Sequence, residues 1–318
     1  MNRNDFLFTP IAKDILEEGN VYPYNLYRKV DEKIFTLILK KDKVLNQING
    51  KKLSFSDNLV YINAKDRRLY QEYIQSHISN IIDNKEVSIE SKVSLINQIA
   101  STTMNDLFES EVTSENLIKI NSVINDTIKL MLNESNALYA MLKVTSYDYY
   151  TYTHCVDVAA YAIGFGIYLN LCQHDLETLG KAAMLHDLGK KGIDNKIITK
   201  NGALTLEEFE IVKEHPTLSV KMLEELGEED RDLLVAIGQH HEKCNGKGYP
   251  KGLYANEICE LAKIVSICDV FNALTTRRTY KDRMSSFHAF KIMCGEMLED
   301  LSKEHLAKFI RFMGCIQQ

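Results

Sequence analysis

The chain has 318 residues, 45% of them apolar and 26% charged, with a formal net charge of −6. That length holds one large or two smaller domains around a sizeable core, and the acidic balance excludes broad, charge-driven binding to nucleic acid polymers or anionic membranes. Seven scattered cysteines without a CxxC pair, no apolar leader, and no uninterrupted apolar run of ~18 residues lead us to expect a cytoplasmic chain with reduced thiols, off the membrane.

Residues 1 to about 85 read as a small α+β domain. Phe6 to Ile11, Val21 to Val30, Ile34 to Leu39 and Val60 to Ile62 are short β-prone segments, and Gly19-Asn20, Asp31 to Lys33 and Asn49-Gly50 separate them as turns. Asp66 opens a helix with apolar positions at Leu69, Tyr73, Ile74, Ile78, Ile81 and Ile82. No catalytic constellation falls here, and Tyr22, Tyr24 and Tyr27 read as packing residues. A regulatory or sensor role is expected for this region.

Residues 86–144 read as a helical linker. Leu117, Ile120, Ile124, Ile128, Met131, Leu138 and Leu142 form a stripe near 3-4 spacing over some seven turns. Such a stripe serves either a homodimer through a 117–142 coiled coil or packing against the rest of the same chain. Residues 145–318 read as successive helices, with His154 early in the first. The segment from Leu176 to Leu188 delivers His186, Asp187 and Lys190, and a pair of helices surrounds His215-Pro216. Arg231 to His241 ends at a double histidine, Asn256 to Leu274 carries Asp269, and Ser285 to Leu301 and Lys303 to Phe312 close the domain.

The chemistry concentrates in that last region. His154, His186-Asp187, His215, His240-His241 and Asp269 recur at intervals of about one helix plus one loop. A lone histidine in a helix is ordinarily a surface or core residue, and His77, His174, His288 and His305 keep that reading. A series that includes an adjacent His-Asp and an adjacent His-His is a different matter. Imidazole and carboxylate suit borderline divalent metals such as iron, manganese or zinc, and paired ions drive in-line attack of water on phosphorus. A two-ion site needs a residue that touches both metals, and Asp187 is the candidate bridge. Cys155 and Cys268, each beside a proposed ligand, read as small buried residues.

At these residues the chain resembles a known family. His186-Asp187-Leu188-Gly189-Lys190 is similar to the signature of the HD phosphohydrolase superfamily, and His240-His241-Glu242 with Asn245 to Pro250 narrows it to the HD-GYP family. The resemblance covers about Tyr147 to Gly314. It implies a mainly α fold, a helical catalytic domain behind the small N-terminal α+β domain. It also implies a metal-dependent phosphodiesterase that hydrolyses cyclic di-GMP to linear pGpG or GMP. By the same resemblance one divalent ion takes His154, His186, Asp187 and Asp269, and the other takes Asp187, His215, His240 and His241. The ions implied are iron, with manganese as the alternative. Asp187 and Lys190 become the catalytic residues, and Lys190, three residues past Asp187 on the same helix face, holds the scissile phosphate. Tyr249 of the Gly248-Tyr249-Pro250 loop packs under the metals or touches the ligand, and that loop is also a surface for diguanylate-cyclase-type partners. Arg278 and Lys281 match the family's basic, phosphate-recognising positions.

Three positions depart from the family pattern. Tyr150 stands where some members place a glutamate that admits a third metal, so two ions are expected. Asn272 replaces the aspartate of Asp-x-Phe-Asp-Ala-Leu, and Asn245 replaces another. Asn272 leaves open a non-hydrolysing protein that binds cyclic di-GMP and signals through the N-terminal domain or partners. Mixed cyclic GMP-AMP also stays open as a ligand.

Overall fold

The structure is a computed structural model and describes residues 7–31, 34–45, 59–134, 136–144, 151–276 and 284–316. The chain divides into two compact units, Met1–Ile99 and Ala100–Gln318. No helix among the described residues is long and apolar enough to cross a membrane.

The first unit holds β1 (Phe8–Ala12), β2 (Leu26–Asp31), β3 (Ile34–Leu39) and β4 (Leu59–Asn63) in one antiparallel sheet of order β1-β4-β2-β3. β1 pairs with β4 from Phe8↔Asn63 to Ala12↔Leu59. Helix α1 (Arg67–Asp83) follows, and its buried residues Tyr70, Ile74, Ile78, Ile81 and Ile82 sit at helical spacing on one face. Tyr70 takes the place expected for Leu69, which is 38% exposed, because Tyr70 lies in register with Ile74 and reaches the ring of Tyr24. Tyr22 and Tyr24 precede β2 and are fully buried, while Tyr27 lies within it and packs edge-on against Phe8.

Helix α2 (Ile89–Glu109) runs across the division between the units. Helices α3 (Ser114–Asn133) and α4 (Ala137–Val144) replace the single seven-turn helix expected over 117–142. The stripe residues Ile120, Ile124, Ile128 and Met131 are buried within the second unit, where α3 packs on α5 (Thr151–Tyr168) and α6 (Gln173–Leu185). Those side chains are therefore spent inside this chain rather than on a coiled-coil seam.

Helix α5 is buried on all sides from His154 to Gly166, as an all-round apolar helix must be. Around it lie α6, then α7 (Asn195–Ile198), α8 (Leu206–Val212), α9 (His215–Glu225) and α10 (Arg231–Gln239), followed by α11 (Glu260–Thr275), α12 (Ser286–Gly295) and α13 (Lys303–Ile316). Phe165 and Tyr161 of α5 meet Phe309 and Phe271 at ring separations of 5.1 and 5.3 Å, which fixes α11 and α13 against the central helix. Helix α6 stops at Leu185, not Leu188. His186 caps it, and Leu188–Gly192 forms a 3-10 turn.

Candidate metal centre

Every residue proposed as a ligand arrives at the end or inner face of a helix. His154 lies in the first turn of α5, His186 caps α6, His215 opens α9, His240 caps α10, and Asp269 sits on α11. All five are buried, and His241 is partly so. Two clusters result, each with ligand atoms within 4.8 Å of one another: Asp187, His215, His240 and His241, and then His154, His186 and Asp269. Asp187 turns one oxygen toward each. Its Oδ1 is 3.3 Å from His215 Nε2. Its Oδ2 is 3.5 Å from His186 Nε2 and 3.9 Å from His154 Nε2.

The imidazoles are oriented by their far nitrogens. Nδ1 of His186, His215 and His240 donates to the carbonyls of Ala183, Val212 and Ile237, three residues back, at 2.7–2.8 Å. A carbonyl only accepts, so each Nδ1 carries the proton and each Nε2 presents a lone pair to the cluster. His154 Nδ1 lies 2.7 Å from Asn272 Oδ1, one turn beyond Asp269 on the same face of α11.

A cation fits this donor set. His215 Nε2 and His240 Nε2 face each other at 3.2 Å. Two lone pairs at that distance repel unless a proton or a cation joins them. Burial disfavours the proton: it pushes His215 down to about 3 and His241 to about 4, and it carries His240 and His186 down as well. His186 Nε2 and Asp187 Oδ1 are buried without a hydrogen bond among the described residues. Burial also pushes the Asp187 and Asp269 carboxyls up, but the surrounding charges outweigh it. The Lys190 ammonium holds Asp187 well below the usual carboxylate range, and the 3.0 Å contact with His154 Nε2 does the same for Asp269. Buried, charged carboxylates beside neutral His186, His215, His240 and His241 form a site for divalent ions. The Cys155 thiol stands within the same distance of His186 and Asp187, but burial raises it well above its ordinary value, so it stays protonated and is a poor ligand.

Lys190 lies on the 3-10 turn rather than on an α-helix. The i, i+3 relation holds there too, and its Nζ is 2.6 Å from Asp187 Oδ2. The turn is braced from outside. Ser219 Oγ accepts from Gly189 N–H at 2.7 Å and donates to the His186 carbonyl at 3.0 Å. A Cβ on Gly189 would stand 2.1 Å from the His215 carbonyl oxygen, so the turn can approach α9 only with glycine there. Lys191 donates to the carbonyls of Leu107, Phe108 and Ser110, capping the end of α2.

The Gly-Tyr-Pro loop is held by Glu242. Its buried carboxylate accepts from the Lys251 N–H at 2.6 Å and the Leu253 N–H at 2.9 Å, and a Cβ on Gly248 would meet the backbone of Glu242 and Lys243 at 2.2–2.6 Å. The Tyr249-Pro250 bond is cis. Tyr249 packs on His241 with ring centroids 4.8 Å apart, and burial raises its hydroxyl so that it stays neutral. Asn245 donates to Asp300 at 2.7 Å, pinning the loop to the segment between α12 and α13. The bracing residues Ser219, Glu242 and Asn272 go beyond the expected ligand set. An acid directly after two histidines was the available signal for Glu242.

A cavity of about 350 Å³ opens over the clusters, lined by His154, Lys190, His215, His241, Tyr249 and Asp269, with an apolar side formed by Val212, Val270, Ala273, Leu274 and Met297. Lys190 and Tyr249 therefore face one space. Arg278, Lys281 and Tyr150 lie outside the described residues.

The chain is similar to known proteins in family and in fold. Residues 120–300 match the HD domain family. Cyclic di-GMP phosphodiesterase PA4108 of Pseudomonas aeruginosa is 34% identical over 163 residues, covering 51% of this chain and 39% of its own. The 3′3′-cGAMP-specific phosphodiesterase 3 of Vibrio cholerae is 35% identical (45% and 31% covered), and a cyclic di-GMP phosphodiesterase of Thermotoga maritima is 42% identical (35% and 30% covered). The chain thus spans two fifths or less of those relatives' length. Bd1817, an HDG"Y"P protein from Bdellovibrio bacteriovorus, shares the fold with a TM-score of 0.66 at 20% identity, over 96% of this chain and 99% of that one.

Proposed function

The chain belongs to the HD domain family, and from that premise we propose that it is a metal-dependent phosphodiesterase of the HD-GYP branch that hydrolyses cyclic di-GMP to linear pGpG or GMP. The observation that carries this reading is the gathering of imidazole lone pairs and two buried carboxylates in two adjoining clusters, whose His154, His215, His241 and Asp269 line one cavity together with Lys190. His154, His186, Asp187 and Asp269 would hold one divalent ion, iron or manganese, and Asp187, His215, His240 and His241 the other. Two such ions withdraw charge from a phosphoryl oxygen and make water a nucleophile at neutral pH.

The chain's own residues do the rest. The backbone carbonyls behind His186, His215 and His240 fix which nitrogen faces the phosphate pocket. Lys190 shares its charge between Asp187 and the scissile phosphate, offsetting the negative charge that grows on the leaving oxygen. Val212, Val270, Ala273, Leu274 and Met297 keep one side of the cavity dry. Arg278 and Lys281 are assigned to the remaining phosphate or ribose-phosphate oxygens. Region 1–85 is assigned a regulatory role, and the helical segment 86–144 joins it to the catalytic region 145–318.

Asn272 supports hydrolysis over a purely sensing role, because its amide oxygen already meets His154 Nδ1 as a carboxylate oxygen would. The similarity to cGAMP-specific relatives supports mixed cyclic GMP-AMP as a second substrate. The test is hydrolysis of each cyclic dinucleotide by protein purified without oxygen and reconstituted with iron or manganese. Linear dinucleotide or mononucleotide should form, and chelation should stop it. Tight binding of intact ligand without product would replace this reading with that of a sensor.

A further inference from the structure

The cavity is small for a ligand site, and a cyclic dinucleotide carries two flat purines on one ring of two phosphates. With one phosphate seated at the metal clusters, at least one base must leave the cavity across its rim. Among the described lining residues, Tyr249 is the sole phenylalanine or tyrosine. Its ring continues outward to Phe209 of α8, with ring centroids 6.4 Å apart and planes at 83°. The order from the metal ligands to the surface is therefore His241, Tyr249, Phe209.

Phe209 is 43% exposed, an apolar ring left partly in water at the edge of a polar site. The helix that carries it is rigidly held. Thr205 and Glu208 form a reciprocal cap at its start, and Lys200 pairs with Glu208 at 2.5 Å. At its other end Val212 lines the cavity, and His215 joins the ligand cluster three residues later. Lys213 Nζ stands 5.1 Å from the Phe209 ring centre and bonds Glu210, which places a cation beside the ring.

We propose that Phe209, with Tyr249 beside it, is the stacking platform for a purine base of the bound cyclic dinucleotide, and that Lys213 flanks the adjoining ribose-phosphate. This rests on the reading of the site as one for cyclic dinucleotides. An aromatic face accepts any base, so the platform contributes affinity and places the scissile phosphate without choosing between guanine and adenine. Choice between bases then falls to other residues.

The chain contains no tryptophan, so Phe209→Trp introduces a single indole at the platform. Manganese-loaded protein is titrated with a hydrolysis-resistant phosphorothioate of cyclic di-GMP, and binding is measured by calorimetry for wild type, Phe209→Trp, Phe209→Ala and Leu206→Ala. Leu206 is on the same helix and 82% exposed, so its variant reports any general effect on α8. The expected results are saturable quenching of the indole at the calorimetric dissociation constant, a loss of affinity of roughly tenfold or more in Phe209→Ala, and wild-type affinity in Leu206→Ala. Binding within twofold of wild type by Phe209→Ala, or an indole that does not respond while ligand binds, would overturn the platform and leave the phosphodiesterase reading standing. A wild-type protein that binds metal but no cyclic dinucleotide would overturn both.

Discussion

The two units bury polar groups in opposite ways. In the first, Tyr22 and Tyr24 are enclosed by Tyr70, Tyr73 and the sheet, and burial raises their hydroxyls so that they remain neutral. Tyr22 Oη accepts from the Glu17 N–H at 2.7 Å, and Tyr24 Oη has no partner among the described residues. An unpartnered hydroxyl costs about 1–3 kcal/mol, which a packed aromatic core absorbs. In the second unit two carboxylates stay charged beneath the surface while His215 and His240, beside Asp187, stay neutral. Burying ions costs several kcal/mol each in the absence of partners. The first arrangement is complete as a core. The second is complete only with cations, and that difference separates a structural interior from a reactive one.

The sharpest way to break the contrast is Asp187→Asn. It removes the charge that faces both clusters and weakens the Lys190 contact. We expect hydrolysis to be abolished and metal content to fall, measured by turnover and elemental analysis on the same sample. Retained metal with near-native turnover would refute the bridging role. Asn272→Asp probes the same site more gently. A carboxylate at His154 Nδ1 makes that imidazole more basic, and turnover should rise toward the roughly 10–100-fold associated with residues behind a metal ligand. An unchanged rate at equal metal content would show that the amide oxygen serves as well.

Acid should separate the two units. Free imidazoles titrate near 6.5, whereas His215 and His241 in the fold titrate at about 3 and about 4. Between those values the unfolded chain binds more protons, so stability present above pH 6.5 is lost as pH falls. Each histidine contributes about 1.4 kcal/mol per pH unit at most. Asp187 and Asp269, held low in the fold, add to the loss below about pH 4. The tyrosine core contributes no slope over this range. Urea midpoints of the metal-free protein at pH 7.5, 6 and 5 should therefore fall steadily, and a flat profile would contradict neutral burial of the histidines.

Smaller effects sharpen the picture further. Glu242→Gln turns an amide NH₂ toward a loop N–H that now meets a carboxylate oxygen, and the loss should be about 1–3 kcal/mol in unfolding free energy, with Tyr249 less well seated on His241. Equal stability and equal affinity for ligand would mean the clamp is idle. Tyr24→Phe removes only the unpartnered hydroxyl, and denaturation should show stability unchanged or raised by about 1 kcal/mol. A clear loss would show that the hydroxyl has a partner.

The sequence made the candidate ligand series legible because chemistry-bearing residue types recur there at regular spacing. The four strands fall close to the β-prone segments for a similar reason, since period-2 and turn signals are local. What escaped it was tertiary. The stripe from Leu117 to Leu142 keeps helical spacing although α3 ends at Asn133 and α4 begins only at Ala137, an interruption that periodicity does not register. Leu69 and Tyr70 are adjacent, and only the position of Tyr24 decides which of them points inward. The supports of the site were least visible. Carbonyls of Ala183, Val212 and Ile237 carry no side-chain signature, and Ser219 and Gly189 meet across 30 residues.

The most direct measurement is an anomalous-difference map from a crystal loaded with manganese, collected at the metal edge. We expect two peaks, one bounded by His154, His186 and Asp269 and one by His215, His240 and His241, with Asp187 between them and about two ions per chain by elemental analysis. No peak, a single peak away from Asp187, or a reproducible third ion would contradict a two-cation centre bridged by that carboxylate.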